Sequence, residues 1–273
     1  MSKHYIFSGH ALGVAAQFHS LDEAQNLTHV VPTLGASVLA PTGGLSRSRV
    51  THYAFSVDQP RKRTLLSVRK IKTAVSGRDH GSRFETEVEA EIEALQAVEK
   101  LHIGAVRLHF LSTFDAESEN STPVVTTTGS HIHGVQLGAV AAEVVLDEEP
   151  LLSCGNANQL AEFYRKQTDD YRKKYGWRFA LDTAPESPGR RCLQHKFSLV
   201  REIHLSGPER DKQSISVDGY TIHWKGFGKI ILGEVQVKCN DRRIALVRLA
   251  MGSDAGGSGT AGGGQSNGGM SGN

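Results

Sequence analysis

Residues 84–101, FETEVEAEIEALQAVEKL, constrain the fold more than any other stretch of the chain. Phe84, Thr86, Val88, Ala90, Ile92 and Ala94 alternate without a break with Glu85, Glu87, Glu89, Glu91 and Glu93. A period of two places one set on each face of a strand. Phe84, Val88, Ile92, Leu95 and Val98 also trace a helical stripe, and Glu and Ala favour helices. The unbroken alternation decides for a strand with one wet, acidic face. Just upstream, Leu65, Ser67, Arg69, Ile71, Thr73 and Val75 read as one face of a second strand. Leu66, Val68, Lys70, Lys72 and Ala74 read as the other, so Lys70 and Lys72 are expected opposite the glutamates across a sheet.

The rest of the chain is also strand-like. Residues 50–57, 102–114, 139–146, 196–205, 214–217, 221–224, 229–238 and 243–251 are short runs rich in β-branched and aromatic residues. Residues 4–18 form a weaker first strand. Pro32, Gly35, Pro41, Gly43 and Gly44 predict turns between short strands. Residues 219–233, GYTIHWKGFGKIILG, echo residues 129–138, GSHIHGVQLG. The echo predicts two halves built alike, and Gly226 and Gly228 predict a tight turn packed beneath Trp224 and Phe227. One amphipathic helix is expected over residues 158–175, capped by Asn156 or Asn158 and ended by Gly176. Residues 252–273 are Gly/Ser-rich and are expected to be disordered, because they offer no core of their own. The fold expected is therefore mainly β: an antiparallel β-sandwich or barrel-like architecture with two similar halves and one central helix. Its segments are residues 1–150 and 181–251 as β halves, 151–180 as helix and connection, and 252–273 as tail.

A net charge of +2 is too small to point to nucleic acid as a partner. No apolar run approaches the roughly 18 residues of a membrane-spanning helix. The first apolar run is broken by Ser8, Gly9, His10 and Gly13, whereas a secretory signal needs an unbroken one. The cytoplasm is the expected compartment, with a secreted or surface location the alternative. Cys154, Cys192 and Cys239 form no CxxC pair and read as small apolar residues.

Chemistry-bearing patterns are few. His131 and His133 lie two apart, so on a strand both imidazoles point the same way and suit one zinc or iron ion. His109, His204 and His223 are the candidates for a third ligand from a neighbouring strand. The plainer reading makes His133 and His223 equivalent members of a repeat, with no cofactor. The only GxSxG, at residues 264–268, lies in the Gly/Ser tail, where no nucleophile elbow forms. Tyr164, Arg165, Lys166, Tyr171, Arg172, Lys173 and Lys174 give the expected helix a basic, aromatic surface suited to an acidic partner, although such a helix more often covers a sheet.

Four stretches stand out together: Gly9-His10-Ala11-Leu12-Gly13-Val14, residues 74–98, residues 129–137, and the turn of residues 226–234 ending Leu-Gly-Glu. In these the chain resembles the choice-of-anchor P type β-proteins of actinobacterial surfaces. The resemblance implies a β fold and a surface location, and it carries no catalytic residues. The chain departs from the family in its lack of a clear signal peptide and in its basic helix. The function expected from these readings is a non-enzymatic structural or protein-interaction module, capable of self-assembly, with protein (including a second copy of itself) as partner. Metal-dependent chemistry at His131 and His133, and anionic-partner binding by the basic helix, are the alternatives.

Overall fold

A computed structural model describes residues 4–19, 28–58, 62–117, 123–149, 151, 182–187, 190–238, 241–252, 257–266 and 268–270. In chain order the strands are β1 (Tyr5–Ile6), β2 (Gly9–His19), β3 (Thr28–Val38), β4 (Gly44–Val57), β5 (Arg63–Asp79), β6 (Arg83–Ala97) and β7 (Leu101–Asp115). There follow β8 (Val124–Thr126), β9 (His131–Leu137), β10 (Val140–Leu146), β11 (Asp182–Ser187), β12 (Arg190–Ser198) and β13 (Val200–Ser206). A one-turn helix α1 (Glu209–Lys212) precedes β14 (Ile215–Asp218), β15 (Thr221–Trp224), β16 (Gly228–Lys238), β17 (Asp241–Met251), β18 (Gly257–Ser266) and β19 (Gly269–Met270).

Sheet one runs β13-β10-β9-β7-β6-β5-β4, with β8 on β7. Sheet two runs β11-β12-β16-β17-β18-β2-β3, with the β14–β15 hairpin on β16. All neighbours are antiparallel, and neither sheet closes into a barrel. The sheets pack face to face through β2, β3 and β18 against β5, β6 and β7. The acidic stretch is the strand its alternation predicts. Val88, Ala90 and Ile92 of β6 are buried, and Lys70 and Lys72 stand in register with Glu93 and Glu91.

The sheets do not divide the chain into N- and C-terminal halves. β2 and β3 sit in sheet two beside β18, so both ends of the chain meet in one sheet. The two Ile-His units fall in different sheets, β9 and β15, although each buries its isoleucine. No helix among the described residues is long and apolar enough to cross a membrane. The expected helix of residues 158–175, with Tyr164, Arg165, Lys166, Tyr171, Arg172, Lys173 and Lys174, lies outside the described residues, as do Cys154 and Cys239.

The Gly-rich terminus corrects the expectation of disorder. β18 lies between β17 and β2, with nine register pairs to each. The composition argument counts only side chains that the segment itself supplies. Here the apolar atoms come from the opposite sheet. A Cβ at Gly264 would stand 2.8 Å from a methyl of Leu108 and 3.0 Å from one of Val88, and at Gly262 it would stand 2.8 Å from Val106. Bare backbone lets sheet one approach until its branched side chains touch β18 directly, so dispersion contact replaces missing side chains. β19 then pairs with β1, tying the two ends of the chain together.

A second correction concerns the face pattern of β5. Leu66 and Val68 are buried together with Ile71, Thr73 and Val75, so the alternation resets at Arg69. The reset is shared across sheet one. Spacing between buried or half-buried inward residues lengthens to three between Val50 and Tyr53, Val68 and Ile71, Ile92 and Leu95, Ile103 and Val106, and Ile132 and Val135. His52, Ala94 and Gly134, on alternate strands of this row, have φ of 53°, 53° and 66°. The kinks stack in register, so each strand bends where its neighbour bends. Pro32, expected to break a strand, lies inside β3. That strand is the edge of sheet two, where a missing N–H leaves no ladder partner wanting.

Candidate functional site

The outer face of sheet one concentrates the ionisable groups. Register sets them in rows across the strands. Arg49, Lys72, Glu91, Arg107 and His131 form one row, and Thr51, Lys70, Glu93, Ala105 and His133 form the next. Arg47, Ala74, Glu89 and His109 form a third. Lys70 Nζ lies 2.6 Å from Glu93, Lys72 Nζ 3.4 Å from Glu91, and Arg78 3.1 Å from Glu87. Exposed pairs of this kind stabilise by only ~0–1 kcal/mol each. Their larger effect is to fix strand register and the sign of charge along the face. The hydrogen bond from Lys70, with the charges of Lys70 and Arg69, holds the Glu93 carboxyl below the ordinary glutamate range against some desolvation.

Glu87 and His109 form the most connected part of the grid. The His109 Nδ1–H donates to Thr128 O at 2.8 Å, which turns Nε2 toward Glu87 Oε1 at 3.1 Å. Thr128 is itself positioned by Glu148, whose carboxylate accepts from the Thr127 N–H at 2.8 Å and the Thr128 hydroxyl at 2.7 Å. Burial pushes the Glu87 carboxyl up, but His109, Arg78 and Ser76 together hold it below its ordinary value. Glu87, Glu89 and His109 bring ligand-type atoms within 4.8 Å of one another. That set of two carboxylates and one imidazole, with the imidazole tautomer fixed from behind, suits a small divalent cation. Arg78 and Arg107 already share the carboxylates and oppose such an ion.

His131 and His133 are brought together as expected of residues two apart on a strand, with ring centroids 4.6 Å apart. His223 is not brought to them, because β15 belongs to sheet two, where its register partners are Ser216 and Lys229. Among the described residues, neither His131 nor His133 joins a group of three metal-ligand atoms. Burial lowers the His131 pKa first, the neighbouring His133 lowers it further, and a bond to Gly129 O only partly offsets them. The His131 Cε1 proton should therefore titrate below the ordinary 6.5 by NMR. Folding then disfavours the charged ring, so this group withdraws stability as pH falls below 6.5. A midpoint at or above that value would contradict the packing described. Gly226 and Gly228 form the expected turn, with φ of 78° and 131°, and the Trp224 and Phe227 rings stack 5.0 Å apart beside it.

The unfinished side of the grid is β4. Its fourteen residues pair only with β5, at the edge of sheet one. No β4 backbone group bonds to any other described backbone. Arg47 and Arg49 project beside a depression of about 420 Å³ that they line with Lys72, Ala74, Glu89 and Glu91. Neither arginine has an ion pair or hydrogen bond among the described residues. A larger depression, about 780 Å³, lies on the outer face of sheet two, but among the described residues Arg248 is the only charged one in its lining, and Glu234 holds it at 2.8 Å. The chemistry therefore gathers on sheet one.

Among the described residues, one charged group is buried between the sheets. Arg242 is 2% exposed, and burial pushes its guanidinium down to about 10 against the opposing influence of Asp241 and Tyr5. Tyr5 stacks on Phe84 at 4.4 Å beside Phe7 and Phe114. This aromatic cluster packs beside Arg242 where β1 meets β19.

The family described as a domain of unknown function, DUF8256, matches residues 5–238. No curated protein and no solved structure matches the chain.

Proposed function

Because the chain belongs to the DUF8256 family, whose description carries no activity, we propose from its geometry that it is a non-enzymatic protein-interaction module working through the open β4 edge of sheet one. The observation that carries the proposal is the edge itself: fourteen residues whose outward backbone groups, like the side chains of Arg47 and Arg49 within the strand, have no partner among the described residues. Such an edge is a template for a further strand. The likeness to choice-of-anchor P type β-proteins enters this proposal as fold alone.

A photoreactive residue in place of Leu45, 58% exposed on β4, tests the reading in cells that make the protein. The control position is Val217, 39% exposed on β14 of sheet two. The expected result is a protein adduct of discrete mass, a partner or a second copy, from position 45 and not from position 217. No discrete adduct from position 45, or the same adducts from both, would overturn the proposal.

A second reading, cation binding, is favoured by the approach of Glu87, Glu89 and His109 within 4.8 Å. It requires about one equivalent of zinc or iron in elemental analysis of the purified protein, lost in His109→Ala. Absence of that equivalent after metal supplementation removes it.

A further inference from the structure

We infer that the β4 edge takes an extended acidic segment of a partner protein, added as one more strand with carboxylates at alternate positions against Arg47 and Arg49. The inference rests on the interaction reading above and names the chemistry of the partner.

The argument begins with charge along the rows. On the outer face, β6 presents a carboxylate at every second residue, and β5 answers with Lys70, Lys72 and Arg78. One strand further out the pattern fails. Arg49 stands directly opposite Lys72, a like-charge pair on neighbouring strands. Such pairs destabilise a sheet. Glu91 lies on the far side of Lys72 and serves Lys72 and Arg107. Arg47 stands opposite Ala74, with Glu89 one strand beyond and near Arg107. Among the described residues the sheet thus ends on two cations with no anion of their own. An acidic strand on the open side would place carboxylates at the spacing of Arg47 and Arg49, roughly 7 Å apart on a β-strand. It would repeat the device already used between β5 and β6.

The backbone agrees with the side chains. The free N–H and C=O groups of β4 supply sequence-independent hydrogen bonds, and the arginine forks supply selection, since guanidinium binds carboxylate in bidentate geometry. Charged residues on an edge also discourage indiscriminate pairing. Here the same two cations would reject basic and neutral strands while accepting an acidic one.

Fluorescence anisotropy with the full-length protein tests this. The probe is a blocked octapeptide with glutamates at alternate positions separated by valines. Its comparators are a peptide of the same composition with the glutamates in one block, a lysine-for-glutamate peptide, and a single-stranded oligonucleotide. The alternating peptide should bind, and binding should weaken as salt rises. It should fall by about tenfold or more in Arg47→Glu/Arg49→Glu, the loss of two charge-assisted contacts. Should that variant fold poorly, Arg47→Gln/Arg49→Gln removes the same charges without adding new ones. No binding of the alternating peptide, or equal binding of the blocked peptide or the oligonucleotide, overturns the inference. A discrete adduct at position 45 without peptide binding would overturn this inference alone and leave the interaction reading standing.

Discussion

Removing residues 252–273 should abolish cooperative folding. Sequence composition marks this segment as dispensable, and the family match ends at residue 238, before β17 and β18. The structure places β18 between β17 and β2, where it makes nine register pairs on each side. Truncation would leave two internal strands as facing edges and expose Val88, Val106 and Leu108, each 0–1% exposed in the intact chain. Each ladder hydrogen bond contributes roughly 1 kcal/mol net. A domain holds only about 5–15 kcal/mol in all, so losing the strand removes an amount comparable to the whole stability. The expected readout is a chain without a cooperative thermal transition by circular dichroism, insoluble on expression. Deleting only residues 271–273 should leave the transition unchanged. A truncated protein that melts within a few degrees of the full chain would show that β18 is not part of the sheet.

The second large effect is expected from Gly262→Ala. Gly262 has φ of 65°, a left-handed conformation that costs an L-residue about 1–2 kcal/mol. An added Cβ would also lie 2.8 Å from a Val106 methyl, and overpacking of this kind costs about 1–3 kcal/mol. Together these predict a loss of roughly 2–5 kcal/mol. For a chain of this size that is a fall in Tm of roughly 5–15 °C. Gly259→Ala, in the same strand, is the control. Its Cβ would meet its nearest neighbours at 3.5 and 3.6 Å, ordinary contact distances, so it should change stability by less than about 1 kcal/mol. Adding Val106→Ala to Gly262→Ala should recover the steric part and leave the backbone part. Equal effects at 259 and 262 would contradict the close approach of the sheets at this row.

These two predictions mark where the sequence was hardest to read. The glutamate alternation of β6 gave its strand, its wet face and its pairing with Lys70 and Lys72, because all three follow from a period of two. The same rule failed one strand over. Arg69 lies on the row of kinks, and the left-handed backbones of His52 and Ala94 have no compositional signature. β18 was illegible for a different reason. A glycine strand is stabilised by atoms that sit far away in sequence, on β6 and β7. At the candidate site, His131 and His133 could be paired from spacing alone, whereas placing His223 needed the sheet topology. His109 and Glu87 are 22 residues apart and meet only through the β6–β7 register. His109 was legible as a candidate third ligand on the same strand face as Arg107, but its partner Glu87 was not. Arg47 and Arg49 were not singled out, because Gly43 and Gly44 beside them suggested a turn rather than the start of a long edge strand.

Residue-resolved hydrogen exchange on the isolated full-length chain tests the account at both of its critical strands. The prediction is protection across Gly257–Ser266 comparable to that of central β6, together with fast exchange at every second amide of β4, those pointing away from β5. Fast exchange throughout Gly257–Ser266 would return that segment to a disordered tail and remove the centre of sheet two. Uniform protection along β4 would mean that the edge is already occupied, and with it the surface proposed to bind a partner would be gone.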